Sequence, residues 1–358
     1  PLHGLAAHPE VAPLEVDIDE EPVDPRVVLE PVDVEELVGR LVFHELAAPE
    51  LERSVAARLG KEAAVFVPSG TMANQLAIRA LCESGDEIIA HCDSHIIHYE
   101  TGAPAALSGC MIRPLDGPGG LFDAAAVLAA RRGRETYAPR PSLLVVENTH
   151  NRGGGTIWPL AAFREVAHAA RSLELRVHVD GARLWNASIA GGYSPAEFVR
   201  EADTVSVCFS KGLGCPVGSA LAGSAATIDR ARRFRKMFGG GMRQSGLLAA
   251  AAIHALDRHV DRLREDHANA VRLARGAATV PGISLAVEPD RTPTNMVFLH
   301  VDPAWGSASA LSEHLAKAGV LALALDPQRI RFVTHLDVTG AGIDLAIEAI
   351  RRAMQKAA

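Results

Sequence analysis

Two short apolar runs, 176–179 and 204–209, end next to residues that could do chemistry. The first, R-V-H-V, leads into Asp180. The second, T-V-S-V-C-F, leads through Ser210 to Lys211. Their length and β-branched content predict buried strands. In an open α/β sheet, ligands sit at the carboxyl ends of the strands, so one carboxylate and one amine reach the same rim. An amine forms an imine with a carbonyl only when it is unprotonated, and desolvation on a sheet rim pushes a lysine that way. Taken singly, a lysine after a strand is usually a solvated loop residue, and an aspartate before glycine a turn former. Taken together, and with Arg183 close by, they suit a carbonyl cofactor whose ring nitrogen must stay protonated. That chemistry is pyridoxal 5'-phosphate, PLP.

Other reactive residues fall into segments that alternate between strands and helices. P-S-G-T-M-A-N (68–74) separates a predicted strand, 63–67, from a helix with an apolar stripe. Gly70 and Thr71 there could hold a phosphate through free N–H groups and the Thr hydroxyl; an ordinary capped helix start is the simpler reading of this motif alone. H-C-D-S-H-I-I-H-Y-E (91–100) brings three histidines and a cysteine together. No second Cys/His pair completes four zinc ligands, so no metal is expected. An imidazole covering an aromatic cofactor fits better, with His98 as an ordinary structural residue. The run L-L-V-V-E (143–147) continues into N-T-H-N-R-G-G-G, which places His150 on the same rim. G-G-G-M-R-Q (239–244) is a pliable loop that presents Arg243. Arg331 alternates with Ile330 and Phe332, so it points away from them, toward the cleft between two domains.

The 358 residues, 48% of them apolar, suffice for one large domain and one smaller one. Strand–helix alternation over 63–222 predicts a mainly parallel sheet with helices on both faces. The expected division is an irregular, acidic N-terminal segment at 1–45, a large α/β domain at 46–246 and a small α+β domain at 247–358. In the last, strands fall near 296–301 and 330–334, and helices near 307–318 and 340–356. A net charge of −7 without a basic block argues against nucleic acid as a partner. Five cysteines, an odd number with no C-x-x-C, suit a reducing, cytoplasmic setting. No signal-peptide pattern and no run of membrane-spanning length stands out.

With these motifs in place, the chain closely resembles the low-specificity L-threonine aldolases of PLP fold type I, grouped with the β-eliminating lyases. The matching pieces are P-S-G-T-M-A-N (68–74), S-H-I (94–96), E-N-T-H-N-R-G-G-G (147–155), H-V-D-G-A-R (178–183), S-K-G-L-G-C-P-V-G (210–218), G-G-G-M-R-Q (239–244) and I-R-F-V-T-H (330–335). They span the chain from roughly residue 49 onward, in the family's order. The resemblance implies the PLP-dependent transferase fold: a large domain with a mainly parallel sheet plus a smaller C-terminal α+β domain. It implies PLP bound covalently to Lys211, with Asp180 on the ring nitrogen and His95 stacked on the ring. Gly70 and Thr71 would cradle the phosphate, and Arg243 would reach a phosphate across a dimer interface. Arg183 and Arg331 would hold the substrate carboxylate, with Arg183 also a candidate contact of the ring oxygen. His150 would lie near the substrate hydroxyl, and His95 and His150 are the candidates to take its proton. The implied reaction cleaves the Cα–Cβ bond of L-threonine, L-allo-threonine or a related L-β-hydroxy-α-amino acid to glycine and an aldehyde. The implied assembly is a homotetramer of dimers with shared sites.

The departure is N-terminal. The family's L-R-S-D-T-V-T-like opening and D-D-V-Y-G-E-D-P-like stretch are missing, and L-V-F-H-E-L-A-A-P-E (41–50), with His44, stands before the first helix. Two alternatives remain open: a β-eliminating or other amino-acid lyase on the same fold, and a non-catalytic PLP-fold binding protein.

Overall fold

Leu51, Val55 and Leu59 recur four apart and are wholly buried, which draws His44–Leu59 into a helix against the main core. The structure, a computed structural model, describes residues 44–133 and 135–355. The irregular segment expected at 1–45 therefore lies, apart from its last two residues, outside the described residues, as does the side chain of His44. The helix begins before Pro49, not at it. Pro49 is the sixth residue of this helix, past the four N–H groups that have no intrahelical partner in any case, so it removes one backbone hydrogen bond in the second turn.

Seven strands form the central sheet: β1 (Ala63–Val67), β2 (Glu87–His91), β3 (Met111–Leu115), β4 (Pro141–Glu147), β5 (Arg176–Gly181), β6 (Thr204–Cys208) and β7 (Ser219–Gly223). Their order is β1-β7-β6-β5-β4-β2-β3. β7 runs antiparallel to both its neighbours, and the other pairings are parallel. β2, β6 and β7 are buried along their whole length, their polar residues included, as strands covered on both faces are. Helices such as Gly70–Leu81 and Leu160–Ser172 supply the covering layers. Each buries an apolar stripe: Ala73, Leu76, Ala77 and Ala80 in the first, Phe163, Val166, Ala167 and Ala170 in the second.

The C-terminal sheet is antiparallel, β10-β11-β9-β8, from β8 (Ile283–Leu285), β9 (Met296–Val301), β10 (Leu323–Ala324) and β11 (Arg329–Val333). Helix Ala308–Ala316, capped by Ser307, packs on it, as does helix Leu263–Ala278, and Gly340–Gln355 packs against both of these helices. The small core does not start at residue 247. Helix Gly246–Arg258 buries Ala249, Ala252, Ile253 and Leu256 in the main core, packed on helix His44–Leu59. Along helix Leu263–Ala278, Leu263 still belongs to the main core, while Ala270, Leu273 and Ala274 belong to the small one. The glycine-rich loop at 239–241 marks a chain turn, and the change of core falls later, inside a helix. Among the described residues no helix is long and apolar enough to cross a membrane.

Candidate active site

β4, β5 and β6 end on the same rim of the sheet, and their register sets the site. Glu147 pairs with Asp180, and Asp180 with Ser206, so these three residues form a row across adjacent strands. Lys211 follows the end of β6 by three residues. On β5, His178 and Asp180 are two apart and point to one face. Asn74, one turn into helix Gly70–Leu81, meets both. Its Nδ2 donates to Asp180 Oδ2 at 2.8 Å, and its Oδ1 accepts from His178 Nε2 at 3.1 Å and from Ser206 Oγ at 2.8 Å. Burial alone would raise the Asp180 pKa. The positive charges of His95 and Lys211, that of His178 at the acidic pH where it is protonated, and the Asn74 hydrogen bond outweigh it and hold the group below the ordinary aspartate value. His178 Nδ1 contacts Thr204 Oγ1 at 2.9 Å, and burial drives this imidazole down to about 4, so it is neutral near pH 7.

A cavity of about 340 Å³ opens above this row. Lys211, Asp180, His95, Arg183 and Arg331 all line it, and with them Glu147. Arg331 comes from the small domain, as the alternation in R-I-R-F-V predicted: Ile330 and Phe332 are buried and Arg331 lies between them on the other face. Leu323, its partner across the β10–β11 ladder, adds an apolar wall, together with Leu325 and Tyr99. Arg183 Nε is buried with no hydrogen-bond partner, and so is Arg331 Nε. Among the described residues neither guanidinium joins an ion pair. Arg331 Nη1 donates to Asn151 Oδ1 at 2.8 Å. Burial, and then repulsion from Arg331, lowers the Arg183 pKa to about 10. Two half-buried cations lining one cavity, each with an unused N–H group, form a receptor for an anion, and the planar fork of arginine matches a carboxylate.

His95 stands at the start of the short helix His95–His98. Its backbone N–H donates to Glu147 Oε2 at 2.7 Å, and its Nδ1 lies 2.8 Å from Glu100 Oε1. Burial lowers its pKa, but the Glu100 hydrogen bond and the charges of Asp180, Glu100 and Glu147 more than reverse this, so the group is raised. Glu147 takes a second backbone N–H, from Asn151, at 2.8 Å. Burial first, and the adjacent Asp180 second, push its carboxyl up to about 7.

His150 does not reach the cavity, contrary to the expectation from its place after β4. The chain turns back after Glu147, and His150 N–H bonds Thr156 O at 2.9 Å. The ring is fully buried, its centroid 5.0 Å from that of His91, and its Nδ1 accepts from Gly153 N–H at 3.0 Å. It lies so close over Gly120 that a Cβ there would come within 2.1 Å of the ring. Burial and the neighbouring His91 lower its pKa to about 4. The ring sits behind Glu147, with Nε2 3.8 Å from Glu147 Oε2.

Gly70 and Thr71 open helix Gly70–Leu81 after the cap Ser69, whose Oγ accepts from Met72 N–H at 3.1 Å. They adjoin the cavity without lining it. A Cβ on residue 70 would lie 2.9 Å from Cys208 Sγ, so only glycine lets this N-terminus, with its free N–H groups, close on the end of β6. Arg243 is exposed on its glycine loop and lies outside the lining. His91, Cys92 and Asp93 place ligand atoms within 4.8 Å of one another. However, His91 Nε2 contacts Gly117 O at 2.9 Å and Nδ1 accepts from Asp93 N–H at 3.0 Å, so both ring nitrogens are in use.

The sequence reading passed over Glu147, Glu100 and Asn74. A strand of L-L-V-V ending in glutamate carries the same signal as V-H-V ending in aspartate, and could have marked Glu147. Nothing local marks the other two.

A family model described as beta-eliminating lyase matches residues 47–304. The low-specificity L-threonine aldolase 1 of Arabidopsis thaliana is 37% identical over 316 residues, covering 87% of this chain and 88% of its own. The low specificity L-threonine aldolase of Escherichia coli K12 is 40% identical over 304 residues, covering 84% and 88%. Among solved structures, Leishmania major threonine aldolase superposes with a TM-score of 0.72 at 22% identity, covering 87% of this chain and 90% of its own. Sphingomonas wittichii serine palmitoyltransferase does so with 0.69 at 20%, covering 87% and 77%. At such identities the structural likeness speaks to fold alone.

Proposed function

The chain belongs to the beta-eliminating lyase family, and from that membership we propose that it is a PLP-dependent aldehyde-lyase. It cleaves the Cα–Cβ bond of L-threonine, L-allo-threonine or a related L-β-hydroxy-α-amino acid, releasing glycine and an aldehyde. The observation that carries this reading is the single cavity that gathers the Lys211 amine, the buried Asp180 carboxylate and two unpaired guanidiniums.

The residues fit PLP. Asp180 is buried, held below the ordinary aspartate value and anchored by Asn74, as a partner for a protonated ring nitrogen must be. Lys211 would bind the cofactor carbonyl covalently, and His95 would face its ring. Gly70 and Thr71 would take the phosphate on helix N–H groups that have no other acceptor. When bound, PLP supplies the sink for the electron pair left on Cα. The protein's part is to choose the bond and move the protons. Arg183 and Arg331 grip the substrate carboxylate and so fix the orientation of Cα. Of the two imidazoles considered for the hydroxyl proton, His95 is the one in the cavity, so it takes that role. Leu323, Leu325 and Tyr99 give the β-substituent an apolar wall.

Arg243, exposed and outside this lining, would serve the phosphate of a neighbouring subunit in a homotetramer built from dimers. The five free cysteines fit a reducing compartment, and we assign the enzyme to the cytoplasm.

Incubation with threonine, allo-threonine, phenylserine and serine tests the activity. Glycine plus the matching aldehyde is expected from the first three, and the Lys211→Ala protein should lose both turnover and the absorption of covalently bound cofactor. Pyruvate and ammonia from serine, or 2-oxobutanoate and ammonia from threonine, without aldehyde, would refute the aldolase assignment.

A further inference from the structure

Among the described residues, Glu100 is a carboxylate that forms no ion pair with a lysine or arginine. Its side chain is fully buried, and among the described residues its one ion pair is with His95. Oε1 takes His95 Nδ1 at 2.8 Å and Asn74 Nδ2 at 2.8 Å, and Oε2 takes Gln75 Nε2 at 2.5 Å. The Asn74 and Gln75 amides both donate to it, one to each oxygen, so it acts as an acceptor toward them. Burying a charged group is costly unless it is paired and hydrogen-bonded. A carboxylate kept at such a place needs a reason beyond stability.

The geometry supplies one. An acceptor facing Nδ1 requires the proton to be on Nδ1, which leaves Nε2 of the neutral ring as the lone pair available to the cavity. Asn74 adds a second constraint. One N–H of its amide goes to Glu100 and the other to Asp180, while its oxygen is claimed by Ser206 and His178. With both ends of the amide committed, it cannot flip. It therefore fixes the Glu100 carboxylate, and through it the His95 ring, relative to Asp180.

We propose that Glu100 and Asn74 are positioning residues that hold His95 in its Nδ1–H tautomer, so that Nε2 accepts the substrate hydroxyl proton. In that step the O–H bond breaks, the proton goes to Nε2, and the oxygen electrons form the aldehyde carbonyl as the Cα–Cβ pair departs. Glu100 then lies 2.8 Å from the positive charge that develops on the ring. The other charged or titratable groups around the ring are Asp180 and Glu147 at the strand ends, Lys211, Arg183 and Arg331 in the cavity lining, and Tyr99 with its ring 5.3 Å away. Asp180 and Glu147 also raise the His95 pKa, but neither touches Nδ1. The catalytic consequence rests on the aldolase reading. The tautomer and its control by Glu100 do not.

Histidine NMR on the purified protein tests the structural half without any turnover. Long-range nitrogen–proton correlations on the wild type should show His95 protonated at Nδ1 in its neutral form. Glu100→Gln should move the His95 titration to lower pH, because a neutral amide no longer stabilises the imidazolium, and Glu100→Asp should restore part of the difference. In turnover, Glu100→Gln should lower kcat roughly 10-fold or more with KM little changed, and should move the acid limb of the kcat profile to lower pH. A wild-type His95 carrying its proton on Nε2 would overturn the proposal even if the Gln variant did not fold. So would an unchanged His95 titration in a folded Glu100→Gln protein. Failure of the aldolase reading would look different: no aldehyde from any substrate, with the His95 tautomer and its dependence on Glu100 intact.

Discussion

Glu147 and Asp180 lie side by side on adjacent strands, yet their surroundings drive them in opposite directions. Asp180 faces His95, Lys211 and the Asn74 amide and is held below the ordinary aspartate range. Glu147 has two backbone N–H donors, and burial plus the Asp180 charge lift it to about 7. Two carboxylates this close cannot both ionise freely, and the one nearer the cations keeps the charge. The folded value of Glu147 lies above the ordinary glutamate value of about 4.3. Between the two, the folded state therefore holds the extra proton. The associated stability is fully present below about pH 4 and is lost as pH rises through the folded value. Glu147→Gln removes this titration. Urea unfolding of both proteins at pH 5 and pH 8 should show the wild type losing about 2 kcal/mol relative to the variant over that interval. Equal pH dependence in the two proteins would mean that Glu147 is ionised throughout.

At the scale of elements, the rim of the sheet was legible because short valine-rich runs mark the buried strands, and a reactive residue stands at or just after the end of each. R-V-H-V-D and T-V-S-V-C gave β5 and β6, and with them Asp180 and Lys211. Alternation gave the facing of Arg331. What was not legible depends on partners far away in the chain. Asn74 meets Glu100 across 26 residues and Asp180 across 106, and no local pattern encodes either pairing. His150 was misplaced because the strand pattern locates the end of β4 but not the reversal that follows, which turns the ring inward over Gly120. The change from the main core to the small one falls inside helix Leu263–Ala278, later than the expected division at 246/247. Helix Gly246–Arg258 is rich in alanine and packs closely on helix His44–Leu59. Leu256→Ala tests which core this helix supports. A loss of about 2–4 kcal/mol is expected for a buried leucine, with faster amide hydrogen exchange in β4, β5 and β6. Faster exchange confined to β9 and β11 would assign the helix to the small domain.

The whole molecule places its cavity where two cores meet, so the site needs both. Arg331 and Leu323 arrive from the antiparallel sheet, and Lys211, Asp180 and His95 from the main one. Arg243 is an expected cofactor contact that is exposed and lies outside this lining. If it serves a second subunit, the unit of function is a pair of chains, and two defects on different chains can complement each other. A subunit carrying Lys211→Ala still offers Arg243 to its partner. A subunit carrying Arg243→Ala still has Lys211 in its own site. When the two inactive proteins are mixed and allowed to exchange subunits, half of the resulting dimers are mixed, and each mixed dimer has one site with both residues intact. Activity should therefore recover to about a quarter of the wild-type value, as expected for a two-fold interface with random pairing. If Arg243 instead acts within its own chain, every site in every dimer lacks one residue or the other, and mixing restores nothing. The same measurement on a protein with Arg243→Ala and Lys211→Ala in one chain, mixed with wild type, controls for exchange. There the only sites with both residues are those in wild-type pairs, so activity should fall below the fraction of wild-type chains as exchange proceeds.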